Sequence, residues 1–285
     1  MQKMHEVMRM EERMIDGNWF RRRLLQQAGA GACAVLLPAL ARAENPPPAA
    51  VRVAAASDLK FALADVATLF RQQTGQSVTV QLGSSGNFAR QIRQGLPVDI
   101  FMSADEAMAN ELVAAGLTSD GGVLYAVGRI VAVVPASSGL KLEPDLRSLL
   151  EPAVRKIAIA NPEHAPYGRA AQQALQRLGL WEPLRSRLVM GENIAQATQF
   201  VTTGAAQAGI SALSLARAPQ LSSQLRHLLL PDDLHAPLRQ RMVLLKAASP
   251  QALAFYRYLQ SPAATGVLEE YGFAVPGRIP APPKT

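Results

Sequence analysis

Residues 51–70 read VRVAAASDLKFALADVATLF, a strand pattern followed at once by a helix pattern. The stretch 51–56, apolar except for Arg52, predicts a buried strand, and the apolar spacing of 59–73 predicts an amphipathic helix that ends before Gly75. Ser57 and Asp58 stand at the turn between them, where either is a candidate helix cap. A strand followed at once by a helix is the repeating unit of α/β sheets, so the stretch indicates an α/β fold.

A second unit of the same kind follows at residues 77–93. Its strand at 77–82 leads into the turn Gly-Ser-Ser-Gly-Asn at 83–87, which contains Ser85, and a short helix ends before Gly95. The first N–H groups of a helix have no intrahelical partners and carry the positive end of the helix dipole. Serines at two such turns therefore predict a site where neutral donors hold an oxyanion.

The remaining pattern predicts two lobes of this α/β type. A third strand and helix at 98–115 complete a βαβαβα order, which predicts a parallel, doubly wound sheet. The long apolar run 125–134 is interpreted as a strand that leaves one lobe and enters the other. We therefore expect two doubly wound α/β lobes joined by a hinge, with lobe 1 at 44–128 plus 236–285 and lobe 2 at 129–235.

Residues 1–43 have the pattern of a secretory signal peptide. Arginines at 21–23 precede a mildly apolar stretch at 28–40 and the sequence Ala-Arg-Ala at 41–43. Two arginines, one further residue and two leucines resemble the twin-arginine export motif, and the general secretory route is the alternative. The prediction is a periplasmic protein. Its one cysteine, Cys33, lies in this segment, so the mature chain is expected to have no disulfide and no thiol nucleophile.

The charge distribution argues against a nucleic-acid partner, and the hydropathy argues against a membrane-spanning helix. The chain has 29 basic and 22 acidic residues, and the basic residues outside the predicted signal form no run. That distribution argues against a nucleic-acid groove, so no nucleic acid is expected as a partner. No apolar run reaches the length that a membrane-spanning helix needs.

Two further strand-to-helix turns occur in the second lobe. One is the loop 161–168, where Pro166 favours helix entry and leaves the N–H of Tyr167 as a first-turn donor. The other is 191–194, which ends at Ile194. Open α/β sheets bind ligands at the carboxyl ends of their strands, so we expect the four turns to meet around one ligand.

The four turns are nearly uncharged. Arg90 and Arg169 come about one turn into their helices and are expected to face solvent. Asp58 and Glu192 must point away from an anion held there. The donors are therefore predicted to be hydroxyls and backbone amides rather than cations.

Catalytic chemistry finds little support in the sequence. No G-x-S-x-G elbow, His-x-x-x-His pair or Cys-x-x-Cys motif is present. His164 is the one candidate base for Ser57 or Ser85, and an exported serine hydrolase remains an alternative on that ground. We predict no catalytic residue and no cofactor, and hence not an enzyme.

Several sequence blocks together resemble the periplasmic molybdate-binding proteins of ABC importers. In order, the blocks are AAAS at 54–57, SS at 84–85, ARQI at 89–92, PVDIFMSAD at 97–105, NPEHAP at 161–166 and YGF at 271–273. The resemblance implies a type II periplasmic binding protein fold that closes on molybdate, and on tungstate too. It also implies delivery of the anion to an ABC permease subunit. A monomer is expected.

The same resemblance implies the ligand contacts. Ser57 and Ser85 are expected to donate through hydroxyl and amide, and Tyr167 and Ile194 through backbone N–H, with no protein atom bonded directly to the metal. Ala212 occupies the position where some members have a tyrosine whose hydroxyl contacts the anion. The phenol of Tyr167 is an alternative source of that bond. Another anion such as sulfate remains an alternative ligand, and an effector-sensing domain of a regulator is disfavoured because no helix-turn-helix segment is present.

Overall fold

The structure, a computed structural model, describes residues 50–276. The predicted signal peptide at 1–43 lies outside that range. The described chain forms two five-stranded sheets with helices packed on them, in agreement with the predicted two-lobed α/β class. Within 50–276, none of the helices has both the length and the apolar character for a bilayer crossing.

The two sheets define the lobes used below. Lobe 1 has the strand order β2-β1-β3-β10-β4, and lobe 2 has the order β7-β6-β8-β5-β9. The strands of lobe 1 are β1 (Val51–Ala56), β2 (Val78–Gly83), β3 (Ile100–Ser103), β4 (Val123–Gly128) and β10 (Leu238–Leu244). Those of lobe 2 are β5 (Ile130–Pro135), β6 (Ile157–Ala160), β7 (Leu188–Gly191), β8 (Ala208–Ala212) and β9 (Leu225–Leu229).

The helices follow the same division. Lobe 1 contains α1 (Lys60–Thr74), α2 (Ser85–Arg93), α3 (Glu106–Ala114), α9 (Pro250–Tyr258) and α10 (Pro262–Glu270). Lobe 2 contains α4 (Pro166–Arg177), α5 (Trp181–Leu184), α6 (Ile194–Thr202), α7 (Leu213–Ala216) and α8 (Pro219–Ser222). Short 3-10 turns lie at Ser57–Leu59, Arg147–Leu150, Arg185–Arg187 and Asp232–Leu234.

The prediction of a parallel sheet is correct for only part of each lobe. In lobe 1, β1 pairs in parallel with β2 and β3, whereas β10 runs antiparallel to both β3 and β4. In lobe 2, β6 is parallel to β7 and β8, and β5 is antiparallel to β8 and β9. The sheets are therefore mixed, and the one reversed strand of each sheet, β10 or β5, is the strand by which the chain enters that lobe from the other.

The chain passes between the two sheets at two places. The apolar run 125–134 is two strands rather than one, because β4 ends at Gly128 and β5 begins at Ile130 in the other sheet. The return crossing lies between β9 and β10. The side chain of Arg129 in the first crossing bonds to Asp232 in the second at 2.9 Å, so the two connections lie side by side.

The turn after β1 differs from the sequence prediction. Ser57 and Asp58 do not cap α1, because Ser57–Leu59 form a 3-10 turn and the helix begins at Lys60 without a side-chain cap. All three residues of the turn are buried. Two buried polar side chains next to a strand end must find other partners, and each of them finds at least one in the opposite lobe.

Candidate functional site

A small cavity lies between the lobes, at the carboxyl ends of the central strands. The space open to the centre of a water-sized sphere is about 10 Å³, so the cavity is small. Its lining in lobe 1 is Ala56, Ser57, Asp58, Gly83, Ser84, Ser85 and Ala104. Its lining in lobe 2 is Ala165, Pro166, Tyr167, Asn193 and Ile194. The structure thus brings the four predicted residues together around one cavity.

Ser85 is the first residue of α2 and follows directly on the end of β2. It is fully buried, and its Oγ accepts the N–H of Ala104 at 3.0 Å. That bond fixes the rotamer and leaves the hydroxyl proton to donate elsewhere. As the first helical residue, Ser85 also has a backbone N–H without an intrahelical acceptor, so it offers two donors at one point.

Ser57 is held in a similar way, but by the opposite lobe. Its Oγ accepts the N–H of Ala195 at 3.2 Å, and Ala195 is the second residue of α6. The hydroxyl proton of Ser57 is therefore also available as a donor. This contact connects the turn after β1 to the start of α6.

Tyr167 and Ile194 bring backbone donors from lobe 2. Pro166 is the first residue of α4, so Tyr167 is in the first turn, where N–H groups have no intrahelical acceptor. Ile194 is the first residue of α6, and Asn193 caps that helix by accepting the N–H of Gln196 at 3.1 Å. Two helix N-termini therefore point their positive dipole ends at the cavity.

Three charged residues of the loops and helices around the cavity are not part of its lining. Arg90 is exposed and donates to Asn87 Oδ1 at 2.9 Å. Arg169 is only partly exposed and forms an ion pair with Asp105 of lobe 1, a contact that the sequence did not predict. Glu192 is exposed. Of the described residues that line the cavity, none is basic, so an anion there would meet neutral donors.

Asp58 is the one acidic residue in the cavity lining, and its carboxylate is bound within a buried cluster. Its Oδ2 accepts the phenol of Tyr167 at 2.9 Å and Gln240 Nε2 at 2.7 Å. Tyr125 in turn donates to Gln240 Oε1 at 2.8 Å. A phenol has one proton, and Tyr167 gives it to Asp58. The alternative in which that phenol replaces a tyrosine at Ala212 is therefore wrong.

The same cluster shifts the ionisation of its members. Burial raises the pKa of Asp58 to about 6 from 3.8, while the hydrogen bonds from Gln240 and Tyr167 act in the opposite direction. Burial and the nearby charge of Asp58 raise the pKa of Tyr167 well above its ordinary value. The phenol of Tyr167 therefore remains a donor at neutral pH.

We expect Asp58→Asn to stabilise the protein at neutral pH. The folded state binds the Asp58 proton more tightly than the unfolded chain does, so the stability linked to it is full below about pH 4 and is lost as pH rises through about 6. Asparagine can accept the same two hydrogen bonds without a buried charge. The measurement is the free energy of unfolding in urea at about pH 4 and about pH 7.5, where the variant should gain on the wild type only at the higher pH.

Asp99→Asn is the matched control, because Asp99 is also buried but has the opposite shift. Burial acts to raise its pKa, yet hydrogen bonds from Arg52 and the charge of Arg52 lower it overall. Asp99→Asn should therefore destabilise the protein, and more at the higher pH than at the lower. A loss of stability at neutral pH for Asp58→Asn as well would contradict the sign argued for Asp58.

His164 does not supply a base to the predicted serines. Its Nδ1 lies 2.9 Å from Ser84 Oγ, and the contacts of Ser57 and Ser85 are those given above. Its backbone oxygen accepts the N–H of Gly86 at 3.0 Å. A Cβ on Gly86 would lie 2.7 Å from that oxygen, so the absence of a side chain lets the two lobes approach here.

Several of these contacts were not predicted from the sequence. Hydrogen bonds to residues that are not sequence neighbours are made by Gln240, Gly86 and Ala104. The available signal was weak: Gln240 is a fully buried polar residue in β10 between two arginines, Arg239 and Arg241. A strand alternates its faces, so Gln240 lies on the opposite face from Arg239, while the pairing of β10 with β4 shifts register between Gln240 and Arg241.

Two α/β lobes, two crossings and a small cavity lined by donors from both lobes define a two-lobed protein with a candidate binding site between its lobes. The chain belongs to the family described as bacterial extracellular solute-binding protein, which it matches over residues 51–274.

Named relatives are similar over most of their length. The molybdate-binding protein ModA of Azotobacter vinelandii is 38% identical over 256 residues, which cover 89% of this chain and 97% of that protein. ModA of Rhodobacter capsulatus is 35% identical over 73% of this chain and 82% of its own. The solved Azotobacter vinelandii periplasmic molybdate-binding protein superposes with a TM-score of 0.73 at 31% identity, covering 79% of this chain and 99% of that chain. The predicted fold class is thereby confirmed.

Proposed function

We propose that the protein captures molybdate between its two lobes and delivers it to the membrane permease of an ABC importer. The observation that carries this proposal is the cavity, which is small, takes its lining from both lobes and offers hydroxyl and amide donors without a positive charge. The relatives named above support it, because they bear the name of molybdate-binding proteins.

The donors suit a tetrahedral dianion that carries no proton. We assign the hydroxyl and N–H of Ser57 and Ser85, and the N–H of Tyr167 and Ile194, to its oxygens. A hydrogen bond to an ionised group contributes about 1.5–3 kcal/mol, so about six of them can offset the loss of hydration. Molybdenum itself would have no protein ligand. Tungstate has the same shape and charge, and we expect it to bind as well.

The wider organisation is part of the same proposal. Residues 1–43 would direct export to the periplasm, by the twin-arginine or the general secretory route. Lobe 1 would comprise 44–128 plus 236–285, and lobe 2 would comprise 129–235, which agrees with the strands of each sheet. Closure would be a hinge motion at the two crossings, stabilised by anion contacts to both lobes. The protein would act as a monomer, without a cofactor and without catalysis.

Selection among anions would depend on size and protonation. Sulfate has shorter bonds from its central atom to oxygen than molybdate, so it would reach fewer of the fixed donors at once. Phosphate at neutral pH carries a proton that needs an acceptor. Asp58 is the one carboxylate in the lining. Its Oδ2 already accepts two hydrogen bonds, and its Oδ1 is the acceptor atom left without a partner in the described part of the chain. We expect sulfate to bind weakly because of its size, and phosphate to bind weakly unless its proton reaches Asp58 Oδ1.

Isothermal titration calorimetry with molybdate, tungstate, sulfate and phosphate tests the proposal. Molybdate and tungstate should bind at one site, with sulfate and phosphate weaker by about a hundredfold or more, or about 2.7 kcal/mol. If sulfate binds more tightly than molybdate, the alternative ligand, sulfate, replaces molybdate in the proposal. Equal weak heats for all four anions would refute the proposed function.

A further inference from the structure

A buried polar cluster joins the lobes beside the anion cavity. Asp58 of lobe 1 is contacted by two residues of lobe 2: Tyr167 donates its phenol to Oδ2 at 2.9 Å, and Ser214 Oγ donates to the backbone oxygen at 2.8 Å. All three residues are buried. Gln240, in lobe 1, completes the cluster from the same side as Asp58.

We propose that Asp58, Tyr167 and Ser214 form a latch between the lobes that slows release of the bound anion. The latch rests on the proposed function in that it needs a bound anion to retain. The side chain of Asp58 bonds to other protein groups and not to the anion, so Asp58 acts as a positioning residue. The anion contacts of Tyr167 come from its backbone, which separates the two roles of that residue.

The geometry gives three reasons for this assignment. The bonds from Tyr167 and Ser214 cross from one lobe to the other, so a relative movement of the lobes acts on them. A hydrogen bond that involves a charged group and is shielded from water is stronger than an exposed neutral one. Gly128, at the first crossing, leaves the room that the cluster needs, because a Cβ there would lie 2.7 Å from Gln240 Nε2 and against the phenol oxygen of Tyr167.

Tyr167→Phe tests the latch, with Tyr125→Phe as the matched control. Each change removes one buried tyrosine hydroxyl from the same cluster. The bond from Tyr125 to Gln240, however, lies within lobe 1. Stopped-flow kinetics should show molybdate leaving Tyr167→Phe about tenfold faster than wild type, with association changed less than about twofold. Tyr125→Phe should lower the free energy of unfolding without accelerating release.

Ser214→Ala is the second variant, because it removes the other bond from lobe 2 to Asp58 with a minimal change of volume. We expect it to speed release by about threefold or more. Unchanged release rates in both Tyr167→Phe and Ser214→Ala would overturn the latch. Equal acceleration by Tyr125→Phe would also overturn it, since the cluster would then act only by stabilising lobe 1.

A distance measurement separates failure of the latch from failure of the proposed function. Spin labels at Gln72→Cys on α1 and Gln176→Cys on α4, both exposed positions, report the separation of the lobes in a Cys33→Ser background. Tyr167→Phe should shift the distribution towards longer distances, with or without anion. If the wild type does not bind molybdate but this shift occurs, the latch stands and the ligand is another one. If molybdate binds and neither the distances nor the release rates change, the latch alone is refuted.

Discussion

Ser85→Ala should weaken molybdate binding by at least tenfold. The change removes a hydroxyl donor to the anion, and it also leaves the buried N–H of Ala104 without its acceptor at 3.0 Å. A hydrogen bond to an ionised group contributes about 1.5–3 kcal/mol, and each 1.4 kcal/mol is a factor of about ten in affinity. Calorimetric titration of the variant with molybdate gives the dissociation constant directly.

Ser148→Ala is the control for that change. Ser148 lies in the 3-10 turn Arg147–Leu150 of lobe 2, and its Oγ has no hydrogen-bond partner within the described part of the chain. Its removal should leave the dissociation constant for molybdate unaltered. An unaltered constant for Ser85→Ala as well would remove Ser85 from the site.

Gly86→Ala should weaken molybdate binding by about ten- to a hundredfold without lowering stability. The new Cβ would lie 2.7 Å from the backbone oxygen of His164 in the opposite lobe, and overpacking of this kind costs about 1–3 kcal/mol. Gly86 is in α2, where alanine is the better helix former, so lobe 1 itself should not suffer. Titration with molybdate and denaturant unfolding of the anion-free protein measure the two effects separately.

Gly266→Ala offers the same chemical change in another helix of lobe 1. Gly266 lies in α10, and a Cβ there would meet nothing within 4 Å. It should leave molybdate affinity as in the wild type. If Gly86→Ala behaves like Gly266→Ala, the approach of Gly86 to His164 plays no part in holding the anion.

The sequence predicted best what depends on local pattern. The strand at 51–56 was predicted to the residue, because it is apolar except for Arg52, as is typical of a parallel central strand covered on both faces. The start of α1 was missed, because a buried 3-10 turn and a helix cap use the same polar residues. The direction of β10 was also missed, because strand direction depends on the path of the whole chain and not on its own residues.

The site shows the same limit. The four turns that line the cavity were identified because strand ends and helix starts are local features, and the resemblance to a known family then singled out particular residues. The cluster around Asp58 could not be predicted from the sequence, because Tyr167 is 109 residues and Gln240 is 182 residues from Asp58 along the chain. No spacing rule connects such partners. Their meeting depends on how the whole chain folds.

The place of β10 between β3 and β4 bears on how the molecule is synthesised. The strands of lobe 2 lie in the sequence between β4 and β10 of lobe 1, so all five are synthesised before β10. Until residue 244 emerges, β3 and β4 lack the neighbour that separates them, and each presents an unpaired edge. A nascent or truncated chain that ends before residue 244 would contain all the strands of lobe 2 but would lack a central strand of lobe 1. Such a product would be prone to aggregation.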